Sequence, residues 1–204
     1  MSPSAPDRSD VTLDRRDLLP HLFPDPARYR MVAGLAGASR DAAALTGEAD
    51  YLFTMGGAMG AALSIGLGMA LAAPDAEIAA ITGDGELLMN VGALATVASA
   101  APGNLTIVCI DNAQHAETGG QPGHTARCTD LAKIAEGAGI ASVMTVSRPD
   151  QLAAAARFLI AAPAPRFLLC RVLPGPPCAW NRDWDLAACR QRFRAAWQAQ
   201  CDSR

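Results

Sequence analysis

The amino-acid sequence predicts an α/β fold, a single doubly wound domain with a mainly parallel sheet and helices on both faces. Short apolar segments alternate with longer helical segments along the chain, a pattern typical of parallel strands joined by helices. The length of 204 residues suits one substantial core. Half of the residues are apolar but only 5% are aromatic, so we expect a core of small aliphatic side chains with closely packed backbone.

Five short apolar segments are predicted to be the strands of this sheet, with longer helical stretches between them. They span residues 51–54, 77–82, 105–110, 141–146 and 166–172. Before the first of them, residues 1–12 are expected to form a flexible tail. Residues 13–23 are expected to form a short helix that is ended by prolines.

Two later helices have recognisable beginnings. One is expected to start near Leu87, and another follows the capping sequence SRPD at 147–150 and runs to Leu159. We therefore expect residues 13–175 to form the domain and residues 176–204 to add a C-terminal segment and helix packed on it. The apolar residues of that last helix recur on one face, and they are Leu186, Cys189, Phe193 and Trp197. The three tryptophans of the chain are expected to be packing residues.

The charge balance excludes some classes of partner. Seventeen Lys and Arg against twenty Asp and Glu leave a formal net charge of −3, which offers no broad basic surface for nucleic-acid phosphates.

The first ten residues carry Pro and charge where a signal peptide would be apolar. Because the six cysteines include no CxxC pair, we expect reduced thiols and a cytoplasmic location.

The uncharged stretch at 51–73 could be mistaken for a membrane span. It is rich in Gly and Ala, however, and no Lys or Arg flanks either end, whereas basic flanking residues are typical of spans. We expect a strand, a glycine-rich turn and a buried helix there, and no membrane contact.

Polar residues follow two of the predicted strands. Strand 77–82 runs into Gly83, Asp84 and Gly85, and strand 105–110 is followed by Asp111 and Asn112. In an open parallel sheet, ligands bind at the carboxyl ends of the strands. A GDG sequence alone is equally a plain turn, but together the two strand ends would bring oxygen atoms of Asp84 and Asn112 to one metal ion.

The backbone carbonyl of Gln114 could add a third oxygen to this set. Diphosphate oxygens and water would complete the octahedron that Mg²⁺ requires. Glycines let the backbone approach an anion closely, and the N–H groups of the following helix would attract the same anion. The sequence therefore predicts a metal-bridged phosphate site.

A GDG sequence followed 28 residues after its Asp by the second residue of a DN pair resembles the cofactor-binding motif of thiamine diphosphate enzymes. The surrounding sequence is closer still, with GAMG at 57–60, GDGELLMNVGALATVA at 83–98, and then NLTIVCIDN and ETGGQPGHT. Over about residues 28–175, the chain is similar to the diphosphate-binding half of the sulfopyruvate and phosphonopyruvate decarboxylase family. The resemblance implies the fold of a thiamine diphosphate-binding domain.

The resemblance also implies roles for individual residues. Asp84, Asn112 and the Gln114 carbonyl would hold Mg²⁺, the Gly57 carbonyl would accept a hydrogen bond from the aminopyrimidine, and Met59 would press the cofactor into its bent form. An alternative for Met59 is that it fills a gap in the core. The residues expected to contact thiamine diphosphate are Gly57, Ala58, Met59, Gly83, Asp84, Gly85, Glu86, Leu87, Asn112, Gln114, Ala116, Glu117 and Thr118.

The chain departs from the family at three of these positions. Glu86 stands where thiamine diphosphate enzymes often have Ser or Ala, so it either points away from the phosphates or supports the metal from a distance. Ala116 and Glu117 stand where phosphonopyruvate decarboxylases tend to have Glu and Ser. His115 and His124 are candidates for catalytic proton transfer, although each could instead bond to the backbone of its loop.

The family needs a glutamate that activates the pyrimidine ring, and it comes from a separate pyrimidine-binding domain. Because 204 residues leave no room for that domain, the resemblance implies a β-type subunit that is inactive alone. Its partner would be an α-type subunit, in a hetero-oligomer of two or more of each chain. Its substrate would be a small-molecule 2-oxo acid with a sulfonate or phosphonate group, decarboxylated to an aldehyde.

Two alternatives remain open at this point. The same cofactor could support carboligation of the acyloin or acetolactate-synthase kind. In another class, the chain could be a non-catalytic phosphate- or nucleotide-binding module, although it lacks GxxxxGK[ST] and its GDG lacks the third glycine of GxGxxG.

Overall fold

A computed structural model describes residues 7–202 of the chain. Six parallel strands form one sheet in the order β2-β1-β3-β4-β8-β7, and two further two-residue strands, β5 and β6, form a small antiparallel pair. The strands are β1 (Tyr29–Ala33), β2 (Leu52–Thr54), β3 (Glu77–Gly83), β4 (Leu105–Asp111), β5 (Gln114–His115), β6 (Gln121–Pro122), β7 (Ser142–Val146) and β8 (Arg166–Arg171).

Helices connect these strands and cover both faces of the sheet. Helices α1, α2 and α7 pack together on one face, whereas α3, α5 and α6 pack on the other. They are α1 (Arg15–Leu22), α2 (Ala36–Thr46), α3 (Ala62–Ala72), α4 (Asp84–Met89), α5 (Ala93–Ala100), α6 (Leu131–Gly137), α7 (Leu152–Ala161) and α8 (Leu186–Asp202). The predicted fold class, a doubly wound α/β domain, is confirmed.

The apolar core is divided by the sheet into two layers. Along β3, Ile78 and Ala80 join the layer under α3, whereas Ala79 and Ile81 join the layer under α2. Successive side chains of a strand point to opposite faces, so a strand covered on both faces must be apolar throughout. This is why β3 and β4 have continuous apolar sequences.

After β2, the chain begins to add strands on the opposite side of β1, although all of the strands stay parallel. From β1 the chain passes outward to β2, then returns to form β3 on the other side of β1. Ala33 at the end of β1 pairs with Ile81 of β3, and Gly83 at the end of β3 pairs with Ile110 of β4. The loops that leave these strand ends therefore diverge and leave a crevice, where open α/β sheets bind their ligands.

Several predicted elements need correction. Strand β1 was not predicted at all, and α4 begins at Asp84 rather than near Leu87. The SRPD sequence does not cap its helix through Ser147. Instead the side chain of Gln151 accepts hydrogen bonds from the backbone N–H groups of Ser147 and Arg148, at 2.7 and 3.1 Å.

The flexible tail predicted for residues 1–12 is wrong for residues 7–12, while residues 1–6 lie outside the described part of the chain. The Arg8 guanidinium donates to the Asp111 carboxylate at 2.7 Å and to the Val172 carbonyl at 3.3 Å. The Ser147 hydroxyl donates to Asp10 at 2.7 Å. Charged side chains near the N-terminus thus find hydrogen-bond partners in the folded domain, which a composition argument cannot reveal.

The C-terminal segment also packs on the domain. Helix α8 lies against β2, where Phe193 contacts Phe53 and stacks with Trp197. Trp184 is 62% exposed, so the expectation that all three tryptophans are packing residues is wrong for this one. Within residues 7–202, no helix is long and apolar enough to cross a membrane.

Candidate active site

A cavity of about 400 Å³ opens at the carboxyl ends of β1, β3 and β4. Four loops surround it: the β1–α2 loop, the β2–α3 loop, the β3–α4 turn and the loop that follows β4. The C-terminal segment closes one side. The cavity is lined by Arg15, 35–38, Arg40, Met59, 83–86, Ile110, Asn112, 114–118, Pro177, Arg182 and Trp184.

Asp84 lies at the base of this cavity, where it is the first residue of α4. Its side chain is buried, and the Thr125 hydroxyl lies within hydrogen-bond distance of both the Asp84 and Asp111 carboxylates, at 3.1 and 2.7 Å. Burial raises the pKa of Asp84 to about 6, and the Asp111 carboxylate adds to the shift. A buried carboxylate of this kind gains from a cation, since a cation relieves both the burial cost and the repulsion.

Asn112 and Gln114 are held beside Asp84 by a tight turn. The Asn112 Oδ1 atom accepts from the Gln114 backbone N–H at 3.1 Å, and the Gly123 N–H donates to the Ala113 carbonyl at 2.8 Å. A Cβ atom on Gly123 would lie 3.3 Å from both Ala113 and the Asp84 carboxylate. Close approach of backbone at Gly123 therefore keeps the Asn112–Gln114 turn against Asp84.

These residues fit a magnesium ion. They supply a carboxylate, an amide oxygen and a backbone carbonyl, the hard oxygen donors that Mg²⁺ prefers. Within residues 7–202, no cluster of three or more His, Cys, Asp or Glu side chains could hold a metal ion. A cation at Asp84 would therefore take its further oxygens from Asn112, Gln114, water or a bound anion such as a diphosphate.

The carboxylate of Glu86 binds to the protein rather than facing open space. It lies within hydrogen-bond distance of the Leu35 N–H and the Thr82 hydroxyl, both at 3.1 Å, and of the Gly60 N–H at 3.4 Å. Burial raises its pKa, although these donors oppose the shift. Of the two expectations for Glu86, the geometry supports the one in which its carboxylate points away from the phosphates. The side chain connects the β3–α4 turn to the β1–α2 loop and to the GAMG turn.

The GAMG turn presents Met59 to the cavity. Met59 is 48% exposed, so the alternative that it fills a gap in the core is wrong. Gly60 has a positive φ of 88°, and its carbonyl accepts from the Asn90 amide at 3.1 Å. Gly57 and Ala58 are exposed and lie outside the cavity lining, next to Met59.

The two candidate histidines differ in position. His115 lines the cavity and lies beside Gly85, where a Cβ atom would be 3.3 Å from the imidazole. His124 is exposed and outside the lining, with its ring 6.2 Å from that of His115. It begins a short turn in which its carbonyl accepts the Arg127 N–H at 3.0 Å. The geometry therefore does not support the predicted catalytic role of His124.

The other predicted contacts also separate into two groups. Ala116, Glu117 and Thr118 line the cavity, and Glu117 forms an ion pair with Arg40 at 3.5 Å. The prediction that Leu87 contacts the cofactor needs correction for its side chain, which is buried in the core under α3. Because α4 begins at Asp84, Leu87 lies one turn into the helix and packs inward.

Sequence reasoning missed the β1–α2 loop and the C-terminal wall of the cavity. Residues 35–38 line the cavity at the N-terminus of α2, which has no side-chain cap. The GLAG sequence after an apolar segment repeats the strand–glycine–helix pattern of GDG, and this signal could have revealed the loop. Arg182 and Trp184 carry no comparable signal, because Arg182 reaches Ser39 across 143 residues.

The chain matches a known family model over much of its length. Residues 35–170 match the family described as thiamine pyrophosphate enzyme, C-terminal TPP binding domain. The matched segment begins at the β1–α2 loop and ends in β8. It therefore contains the GAMG turn and the loops that carry Asp84 and Asn112.

Two curated relatives of the chain are named as decarboxylases. The chain is 34% identical over 170 residues to a phosphonopyruvate decarboxylase from Streptomyces viridochromogenes, covering 83% of this chain and 42% of the relative. It is 45% identical over 95 residues to a sulfopyruvate decarboxylase subunit beta from Methanocaldococcus jannaschii, covering 47% of this chain and 50% of the relative. The chain thus spans about half the length of the curated relatives that it matches.

Solved structures share the fold. A thiamine diphosphate-dependent 4-hydroxybenzoylformate decarboxylase from Rhodococcus jostii superposes with a TM-score of 0.65 at 19% identity, covering 86% of this chain and 35% of that one. A second solved chain, from Mycobacterium smegmatis, superposes with a TM-score of 0.62 at 22% identity, covering 80% of this chain and 32% of that one. In both cases the present chain corresponds to about a third of the larger chain.

Proposed function

Because the chain belongs to the family of thiamine pyrophosphate enzyme C-terminal TPP binding domains, we propose that it is the cofactor-binding subunit of a two-chain 2-oxo acid decarboxylase. The observation that carries this proposal is the set of oxygen donors at the strand ends, Asp84, Asn112 and Gln114, inside a cavity large enough for a ligand. Its relatives include decarboxylases of phosphonopyruvate and sulfopyruvate. A substrate of that class, releasing CO₂ and leaving an aldehyde, is accordingly part of the proposal.

The residues of this chain would do three things in such an enzyme. Asp84, Asn112 and the Gln114 carbonyl would hold Mg²⁺ and, through it, the diphosphate. The uncapped N-terminus of α2 would donate N–H groups to the same anion. Met59, exposed at the cavity, would support the rings of the cofactor.

Bound thiamine diphosphate supplies a carbon nucleophile and an electron sink for the loss of CO₂ from a 2-oxo acid. His115 lines the cavity beside Gly85, within the loop that carries the metal ligands. We assign to its imidazole the transfer of a proton to or from the substrate, since an imidazole can act as a general acid or base in catalysis. His124 lies outside the cavity lining and is given no such role.

A partner subunit is required by the same proposal. The two glutamates of the cavity are already engaged, Glu86 with backbone N–H groups and Glu117 with Arg40. The glutamate that activates the pyrimidine ring would therefore come from an α-type chain. The naming of one relative as subunit beta supports this arrangement. The number of copies of each chain and the cytoplasmic location stay predictions.

The test is to coexpress this chain with a pyrimidine-domain subunit and to measure CO₂ release from sulfopyruvate and phosphonopyruvate with thiamine diphosphate and Mg²⁺. We expect activity only when both chains are present, and none in the Asp84→Asn variant. Product analysis with an added aldehyde separates decarboxylation from carboligation. A pair of chains that forms a complex and binds the cofactor but acts on no 2-oxo acid would refute the proposed activity.

A further inference from the structure

We propose that Arg182, supplied by the C-terminal segment, binds a tetrahedral oxyanion in the active-site cavity. The inference rests on the proposed function and deepens it, since both the cofactor and the proposed substrates carry such a group. The oxyanion is either the terminal phosphate of the diphosphate or the phosphonate or sulfonate group of the substrate. Arg182 lies beyond the segment that matches the family, which ends at residue 170.

The first observation is that Arg182 is buried without an ion-pair partner among the described residues, although the Glu48 carboxylate, beyond ion-pair distance, opposes the lowering of its pKa by burial. It lines the cavity but is only 5% exposed, and within residues 7–202 it forms no ion pair within 4 Å. Its guanidinium donates to the Ser39 hydroxyl at 2.8 Å and to the Met55 carbonyl at 3.4 Å, while its buried Nε has no hydrogen-bond partner. A buried cation that neither pairs nor uses all its donors is costly.

The second observation is that the other two arginines of the cavity are already paired. Arg15 forms a buried ion pair with Asp41 at 2.6 Å, and Arg40 pairs with Glu117 at 3.5 Å. Arg182 is therefore the arginine of this wall whose charge is left for a ligand. Burial lowers its pKa, but an arginine stays charged in proteins, so the cation is present throughout the neutral range.

The third observation is that Arg182 lies beside other donors suited to an anion. Its bond to Ser39 joins it to the first turn of α2, whose residues 36–38 line the same cavity without a side-chain cap. A side chain at Gly37 would collide with Arg15, because a Cβ atom there would lie 2.3 Å from its guanidinium. Arg182 and the free N–H groups of α2 thus converge on one wall, opposite in charge to a phosphate-class oxyanion.

Trp184 gives this wall a built-in support. The Arg182 guanidinium lies 4.5 Å from the centre of the Trp184 ring, a geometry typical of a cation–π contact. The ring holds the planar guanidinium in place without competing for its N–H donors. Such a preformed arrangement lowers the entropic cost of binding an anion.

The experiment measures binding rather than turnover. Isothermal titration calorimetry of the chain with inorganic pyrophosphate and Mg²⁺ imitates the diphosphate, and titration with methylphosphonate at saturating pyrophosphate imitates the head group of the substrate. We expect Arg182→Gln to weaken one of these ligands by about tenfold to a hundredfold. Loss confined to pyrophosphate assigns the diphosphate as the oxyanion, and loss confined to methylphosphonate assigns the substrate.

Arg166→Gln is the matched control. Arg166 is about as buried as Arg182, at 7% against 5% exposed, but lies outside the cavity lining and pairs with Glu77. Its loss should lower stability without changing affinity for either anion. Unchanged affinity in Arg182→Gln for both anions would overturn the inference and leave the proposed function standing, whereas failure of the unaltered chain to bind Mg²⁺ and pyrophosphate would count against both.

A second measurement covers the case in which Arg182→Gln does not fold. The Nε–H resonance of Arg182 in the unaltered chain, assigned through its contacts with Ser39 and Trp184, should shift when one of the two anions is added. The shift is expected because an anion bound to the guanidinium changes the electronic environment of the adjoining Nε–H, which has no acceptor in the free chain. A resonance unmoved by saturating pyrophosphate and methylphosphonate would refute the inference.

Discussion

Several residues near the cavity form hydrogen bonds with one buried carboxylate, that of Asp111. Its side chain accepts from Arg8 at 2.7 Å and from the Ala113 N–H at 3.0 Å, and it lies within hydrogen-bond distance of the Thr125 hydroxyl. It adjoins Asp84, so two acidic groups share one region. Arg8 balances one of these charges and thereby leaves Asp84 as the acid to be balanced by a metal ion.

Replacement of Arg8 tests this balance. Arg8→Gln removes the cation from a carboxylate that is 2% exposed, so we expect the free energy of unfolding to fall by about 1–3 kcal/mol. Arg148→Gln is the control, because its pairs with Asp10 and Asp150 are exposed and exposed pairs contribute about 0–1 kcal/mol. Denaturant unfolding measures both. Equal effects of the two substitutions would contradict a special role for Arg8.

Asp84 gives a prediction with a definite sign. Its pKa in the folded, metal-free chain is about 6, above the ordinary value of 3.8, so folding favours the protonated form. The stabilising contribution of that proton is complete below about pH 4 and is lost as the pH rises through 6. Asp84→Asn removes this loss and should make the metal-free chain about 1–3 kcal/mol more stable at pH 7, while it abolishes Mg²⁺ binding.

Denaturant unfolding in EDTA at pH 4 and pH 7 checks this prediction. The advantage of Asp84→Asn should shrink toward pH 4, where the Asp84 carboxyl is protonated in the folded chain and close to half protonated in the unfolded chain. Thr125→Val is a useful comparison, because it leaves the titrating group in place. A variant no more stable than the natural chain at pH 7 would argue against the burial cost assigned to Asp84.

At the scale of elements, Glu86 joins two separate loops to strand β3. Its carboxylate bonds with the start of the β1–α2 loop at Leu35, with the GAMG turn at Gly60 and with Thr82 of β3. A Cβ atom on Gly34 would lie 1.9 Å from this carboxylate, so glycine at 34 and glutamate at 86 depend on each other. This explains why a large residue can stand after GDG without filling the cavity.

We expect Glu86→Gln to loosen these loops. The amide keeps the shape but offers one acceptor oxygen in place of two, so at least one buried N–H loses its partner, at a cost of about 1–3 kcal/mol. Hydrogen exchange should quicken at the backbone amides of Leu35 and Gly60, and not at distant Ile78, whose backbone N–H donates to the Asn104 carbonyl at 2.9 Å. Unchanged exchange at both loops would contradict the linking role.

The elements also show how far sequence reasoning reaches. Strands β3 and β4 were predicted within one residue because continuous apolar segments mark strands buried on both faces. Strand β1 was missed because its sequence, YRMVA, is interrupted by Arg30 and follows prolines. The strand-end motifs located Asp84 and Asn112. Arg182 could not be located, since its position depends on tertiary packing across 143 residues.

At the scale of the whole molecule, the cavity is assembled from distant parts of the chain, so a ligand that fills it stabilises the entire fold. We expect Mg²⁺ with thiamine diphosphate, at a hundredfold its dissociation constant, to raise the free energy of unfolding by about 2.7 kcal/mol. For a domain of this size, that corresponds to a rise in Tm of roughly 5–10 °C. Thermal unfolding with the cofactor, with and without EDTA, measures the effect.

The role assigned to the metal makes the EDTA arm decisive. Because the diphosphate reaches Asp84 through Mg²⁺, chelation should remove most of the rise in Tm. Thiamine without phosphates, with Mg²⁺ present, should give little stabilisation and serves as the control for ring binding alone. An equal rise in EDTA would mean that the anion is held by Arg182 and the N-terminus of α2 without the metal.

The wall that carries Arg182 and Trp184 has a consequence for the order in which the molecule is made. A chain leaving the ribosome folds from its N-terminal side as each part emerges. All six strands of the main sheet are complete once residue 171 has been added, yet Arg182 still has to reach back to Ser39. A nascent chain can therefore possess its sheet and its Asp84 while the cavity remains open on one side. We therefore expect the site to bind an anion through Arg182 only after the sheet and the loop that carries Asp84 have been synthesised.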